Sequence, residues 1–141
     1  MSIQHSNIST ETGGLASMVK LPAHSQRQLL VQGQLSSVEL VTAHINRLEF
    51  VNPKINALVA SCFEQALDQA DRIDSARLKG EQLPHWAGVP CTIKECFAVE
   101  GMPNSAGLMS RKDLRSSHTA LAVQRLVDAG FIPLGLSNLS E

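Results

Sequence analysis

The sequence predicts an α/β fold. Three observations carry that prediction. Short aliphatic runs alternate with longer segments of helical periodicity, Gly and Pro punctuate the joints between them, and the apolar residues are almost wholly aliphatic. Trp86 is the one tryptophan, there are four Phe and there is no Tyr, so the core has to be built from Leu, Ile, Val and Ala.

Taken in order, residues 1–24 are rich in Ser, Thr and Gln and read as a flexible leader before one unit spanning residues 25–141. A first helix runs from Ser25 through "QRQLLVQ" to a terminator at Gly33. Ser36 and Glu39 form a capping-box pattern, with Leu35 placed to staple onto Leu40. Val38, Val41, Ile45 and Leu48 then recur at helical spacing until Asn52-Pro53 ends the second helix. "INALVA", residues 55–60, reads as a buried strand, followed by a helix over 62–79 closed by Gly80. "GVPCTIKE" is a second strand. A loop over 97–116 follows, its turns marked by Gly101, Pro103-Asn104 and Gly107. A fourth helix covers 117–129, and "FIPLGL" is a third strand in which Pro133 argues for an edge or terminal position. Strands alternating with helices imply a parallel sheet, which needs both faces covered. Three short strands, the last followed only by "SNLSE", make an unfinished sheet, so the chain reads as the first part of a larger α/β domain.

Composition narrows the function classes. At 141 residues the chain suits one domain, and a net charge of -1 gives no electrostatic footprint for nucleic acid. No apolar run approaches the roughly 20 residues of a membrane span, and "MSIQHSNISTETGG" has neither the basic nor the apolar region of a signal peptide. A cytoplasmic location is the expectation. The three cysteines form no CxxC pair. Cys91 and Cys96 fall on one strand reading and point to opposite faces, and Cys62 falls in a helical pattern as a small hydrophobe, so neither a metal nor a disulfide is expected.

One position stands out chemically. Ligands in open α/β sheets bind beyond the carboxyl ends of the strands. Lys94 lies at that end of the second strand, and Ser137 and Asn138 at the same end of the third. A lysine near Ile93 and Phe97 and withdrawn from water favours its neutral amine, which can act as a general base toward a serine hydroxyl. The plain alternative is a lysine that snorkels from a strand end or pairs with Glu95. Alternation sets Glu95 opposite Lys94, which favours a structural ion pair over a substrate contact. His118, in the first turn of a helix, and His44, on a helix, have no positioned partner. Cys91 has no neighbouring base, Gly13-Gly14 matches no phosphate-binding pattern, and turn chemistry alone accounts for Ser105-Ala106-Gly107.

Several ordered blocks add what single residues do not. "LSSVELVTAHINRLEFVNPKINALVA", "ALDQADRIDSARLKG", "GVPCTIKECFAVEGMPNSAGL" and "AVQRLVDAGFIPLGLSNLSE" resemble the N-terminal portion of the amidase signature family, in its fatty-acid amide hydrolase-like branch. The resemblance implies an α/β/α fold around a mixed sheet. It also implies hydrolysis of carboxylic or fatty acid amides by a Ser–cis-Ser–Lys triad, with Lys94 the catalytic lysine and with no metal or organic cofactor. The family's two serines lie in a "GGSSGG"-type loop and the segment after it, downstream of the block that matches "SNLSE". Ser105, Ser137 and Ser140 are in no such loop, so the expectation is an inactive fragment that carries the lysine alone. Two other readings stand beside it. "KECFAVEGMPNS" departs from the "KD-N" pattern usual in the glutamine-hydrolysing subunits of tRNA-dependent amidotransferases, which counts against that relative. The third reading is a non-catalytic assembly fragment. Its helices over 36–52 and 117–129 would dock a partner chain or a second copy. The expected small-molecule partner is an amide substrate.

Overall fold

The computed structural model describes residues 14, 15 and 17–140. Most of the predicted leader therefore lies outside the described residues. Residues 14, 15, 17 and 18 are helical, and Leu15 and Met18 pack against a cluster centred on Leu30. The helices that follow are α1 (Ala23–Val31), α2 (Ser37–Ile55), α3 (Phe63–Leu78) and α4 (Leu121–Asp128). The strands are β1 (Leu58–Ser61), β2 (Pro90–Lys94) and β3 (Ile132–Ser137), ordered β1-β3-β2.

The sheet is mixed. β2 and β3 run parallel, joined by the α4 crossover, whereas β1 pairs with β3 antiparallel. The expectation of an all-parallel sheet fails at β1, and the mixed sheet implied by the family resemblance holds. Strand–helix alternation predicts parallel neighbours only when consecutive strands are adjacent. Here β1 and β2 are separated by β3, so the β1–α3–β2 connection is free to reverse direction.

Helix α2 starts as its sequence predicts. The Ser36 hydroxyl accepts from the Glu39 N–H at 3.0 Å, the Glu39 carboxylate accepts from the Ser36 N–H at 2.8 Å, and Leu35 and Leu40 are buried in one cluster. Its end differs from expectation, because α2 runs through Pro53 to Ile55. The last turn is held from beyond: Asn56 takes a left-handed conformation, φ 47°, and donates its N–H to the Asn52 carbonyl at 2.8 Å. The Asn52 side chain meanwhile donates to the Leu58 carbonyl at 2.9 Å and accepts from the Leu58 N–H at 2.8 Å. That pair imitates a ladder contact and shifts the strand start from residue 55 to Leu58.

Pro133 also finds a physical explanation. β3 is central overall, but β1 ends with Ser61 opposite Gly135 and does not reach Pro133. The missing N–H therefore leaves no ladder bond unmade, and the Pro133 carbonyl accepts from Cys62 Sγ at 3.2 Å. Cys62 sits immediately before α3 rather than within it. At Gly135 (φ 151°) an added Cβ would come within 2.1 Å of the Ala60 carbonyl oxygen, so the β1–β3 contact admits glycine alone. Helix α4 starts at Leu121 rather than residue 117 because the preceding backbone is engaged elsewhere. Ser116 exchanges bonds with Gly101 and Met102, Thr119 Oγ1 accepts from the Glu100 N–H, and the Ala120 N–H goes to Ala98. His118 is accordingly exposed in a bend before the helix and not on it.

Three apolar clusters hold these layers. Val41 and Ile45 of α2 meet Ala66 and Ala70 of α3 over Ile132 and Leu134 of β3. Leu30, Leu35, Leu40 and Val89 form the second, flanked by Trp86 stacked on Phe131 with ring centroids 5.1 Å apart. Ile93, Val123 and Leu136 join α4 to the sheet. Each fully buried Leu or Ile side chain contributes about 1.5–3 kcal/mol.

A polar node links the first two clusters. The Asp74 carboxylate accepts the N–H groups of Ser37 at 2.8 Å and Val38 at 2.9 Å. The Arg77 guanidinium holds Asp74 and the Ser37 hydroxyl, each at 3.2 Å, and reaches the Ala87 carbonyl at 3.0 Å. Replacing Asp74 by Ala leaves two helix N–H groups without their acceptor. Asp74→Ala is expected to cost about 2 kcal/mol of unfolding free energy in a urea titration.

His44 gives the fold a pH dependence. Gln26, 4% exposed, sets its Nε2 3.1 Å from His44 Nε2 and 3.1 Å from both the Met18 and Leu21 carbonyls. Burial holds the His44 pKa below its ordinary 6.5, so the ring is neutral and accepts from Gln26. The unfolded chain then binds more protons below that value. This contribution to stability is full above about pH 6.5 and is lost as pH falls through the lowered folded pKa. Unfolding titrations at about pH 7.5 and 5.5 should show the loss, and a His44→Gln variant should show a smaller one.

Candidate active site

Lys94 closes β2, and its register partner on β3 is Ser137. The amine donates to the Asn138 backbone carbonyl. Asn138 is fixed in turn, its N–H on Ala57 at 2.8 Å and its side-chain amide on Asn56 at 3.0 Å. Lys94, Ser137 and Asn138 thus share one end of the sheet, as the sequence predicts. The amine and the Ser137 hydroxyl do not bond each other. Ser137 Oγ donates to the Ile93 carbonyl at 3.4 Å, and Lys94 takes the Asn138 carbonyl instead. Nor is Lys94 withdrawn from water: it is exposed at the strand end, where the described residues place nothing over it.

Glu95 corrects the sequence reading more sharply. It is 3% exposed and makes no ion pair with Lys94. Its carboxylate accepts the Ser105 N–H at 2.5 Å and the Ala106 N–H at 2.8 Å, and its backbone carbonyl accepts from Asn104 Nδ2 at 3.1 Å. The Ser105-Ala106-Gly107 turn is therefore more than turn chemistry. A carboxylate ten residues upstream fastens it to the end of β2. Its one sequence signal is an acidic residue immediately after the strand-end lysine, which alternation turns away from that lysine and toward the loop.

The remaining candidates do not converge here. His44 belongs to the Gln26 contact and His118 to the exposed segment before α4. Cys96 lies in the turn after β2, not on the strand, and is exposed. Among the described residues no group of three or more His, Cys, Asp and Glu is placed to hold a metal ion, and no helix is long and apolar enough to cross a membrane.

The family model for the amidases matches residues 39–141. The chain belongs to the amidase signature family. It is 47% identical to fatty-acid amide hydrolase 2-A of Danio rerio over 116 residues, which cover 77% of this chain and 22% of that protein. It is 36% identical over 113 residues to the glutamyl-tRNA(Gln) amidotransferase A subunit of Salinispora tropica, covering 80% of this chain and 23% of that relative. Among solved structures, the peptide amidase of Stenotrophomonas maltophilia superposes with a TM-score of 0.80 at 27% identity, covering 89% of this chain and 26% of that one. The chain thus spans about a quarter of the length of the relatives it matches.

The cysteine environments yield a chemical test. Burial pushes the Cys91 thiol up to about 11, with repulsion from Cys62 adding to it, and burial also raises Cys62. Since the thiolate is the reactive form, a maleimide at about pH 7.5 should label the exposed Cys96 first. Peptide mass spectrometry should find Cys62 and Cys91 modified only after denaturant is added.

Proposed function

We propose that this chain is the lysine-bearing segment of an amide hydrolase and that Lys94 is its catalytic base. The observation that carries the reading is the position of Lys94. It stands at the carboxyl end of β2, beside the end of β3 and a carboxylate-fastened loop, in a chain of the amidase family.

The chemistry follows from what an amide demands. An amide carbonyl is a poor electrophile, so a hydroxyl nucleophile must lose its proton as it attacks. In the triad that the family resemblance implies, neutral Lys94 draws a proton from a bridging serine. That serine deprotonates the nucleophilic serine. Its oxygen adds to the carbonyl, the C–N bond breaks, and the proton returns by the same path to the departing amine. Water then attacks the acyl-enzyme with Lys94 again as base. In this reading both serines and the oxyanion donors lie outside these 141 residues. A carboxylic or fatty acid amide is the preferred substrate class. It is supported by 47% identity to the fatty-acid amide hydrolase against 36% to the amidotransferase relative.

The test is amide hydrolysis by the full-length protein and its variants, with an aryl or fatty amide and with glutamine as alternative substrates. Lys94→Ala should lower kcat/KM by roughly a thousandfold or more. Lys94→Arg should not restore it, because a guanidinium keeps the charge and cannot give up its proton. Rescue by Arg would reduce Lys94 to an electrostatic or structural role, and preference for glutamine would move the protein to the amidotransferase class. The 141-residue chain alone should hydrolyse none of these.

A further inference from the structure

We propose that Glu95 is a positioning residue that fastens residues 104–107 rigidly to the strand end that carries Lys94. The inference rests on the reading of Lys94 as the base and adds a second residue to it.

Glu95 is anchored at every polar group it has. Its N–H donates to the Ser137 carbonyl at 3.0 Å, which continues the β2–β3 ladder one residue past Lys94. Its carbonyl holds Asn104 Nδ2, and its two carboxylate oxygens each take one backbone N–H, from Ser105 and Ala106. Burial of a carboxylate is costly unless its oxygens are satisfied. Here the compensation comes from loop amides alone, since Glu95 takes part in neither of the salt bridges present among the described residues.

The loop in turn needs that carboxylate. Ala106 has φ 52° and Gly107 φ 78°, so two consecutive residues are left-handed and one of them carries a Cβ. Leading into this left-handed turn, the N–H groups of Ser105 and Ala106 converge on one point and make a donor pair of the kind that takes anions. The Glu95 carboxylate fills it. The turn is closed by the Gly107 N–H on Ser105 Oγ at 3.2 Å and the Leu108 N–H on the Ser105 carbonyl at 3.1 Å. Lys94 and Glu95 are adjacent in the chain, so amine and loop share one rigid strand end.

Carboxylate chemistry makes the role specific. Glutamine is nearly isosteric but has one acceptor oxygen, and its NH2 would face a loop N–H donor against donor. Aspartate keeps both acceptors on a shorter arm. In Glu95→Gln, hydrogen exchange at the Ser105 and Ala106 amides should accelerate about tenfold or more. Tryptic cleavage after Arg111, Lys112 and Arg115, all exposed, should quicken with it. In the full-length protein the same variant should lose about tenfold or more in kcat/KM for an amide substrate, after correction for the folded fraction. The pH–rate profile should keep its shape, because the base is untouched, and Glu95→Asp should recover part of the loss.

Unchanged exchange at Ser105 and Ala106 overturns the clamp. Faster exchange with an unchanged kcat/KM overturns the positioning role. Absence of Lys94-dependent hydrolysis in the unsubstituted full-length protein overturns the reading of function, and the positioning role falls with it. The exchange measurement on the clamp needs no activity and stands apart from that outcome. If Glu95→Gln does not fold, Glu95→Asp carries the same readouts.

Discussion

The arrangement depends on one carboxylate, that of Asp74. It lies on α3 yet caps the start of α2, and through Arg77 it reaches the Ala87 carbonyl just before β2. Ser37, fully buried, sits at the meeting point, and Gly88 passes so close that an added Cβ would lie 2.3 Å from the Ser37 hydroxyl. Three segments distant in sequence therefore have their relative positions set by directional bonds rather than by apolar contact alone. Apolar packing is permissive about small slides, whereas a carboxylate shared between two N–H groups and a guanidinium is not. The consequence extends to the site, because Val89 enters β2 from this node and Lys94 closes the strand.

At the other end of β2 the strand period does the sorting. Lys94 and Glu95 are neighbours in sequence, and alternation sends them different ways. The lysine stays exposed at the strand end and the glutamate turns inward to the loop. One dipeptide thus divides two tasks, one group left accessible and one committed to structure. Asn138 balances it from just past β3: its carbonyl receives the amine while its N–H and side-chain amide tie back to the turn between α2 and β1.

Much of this was legible in the sequence where the determinants are local. The Ser36–Glu39 capping box, the Leu35–Leu40 staple and the glycines after the helices, Gly33, Gly80 and Gly130, all at positive φ, mark helix ends through short-range chemistry. The place of Lys94 follows from strand length alone. The rest depends on partners far along the chain. Pro53 does not end α2 because Asn52 and Asn56 hold its last turn from beyond. The direction of β1 is decided by β3, and the start of α4 by a loop that consumes residues 116–120. Glu95 could not be told from an ion-pair partner, because its true partners are backbone amides, which carry no side-chain signature.

The strand order has a further consequence, for synthesis. β1 and β2 do not pair with each other; among the described residues each pairs with β3, the last of the three to leave the ribosome. The α2–α3 packing through Val41, Ile45, Ala66 and Ala70 is local and can form while translation continues. No ladder bond of the sheet can. At about 5–20 residues per second, two nascent strands wait with unpaired edges until the segment carrying Ile132 and Leu134 arrives. That segment then completes the β ladder and fills the α2–α3 core together. Vectorial folding of this chain is thus a helical hairpin first and a sheet only at the end, on which Lys94 and Asn138 come together in the same step.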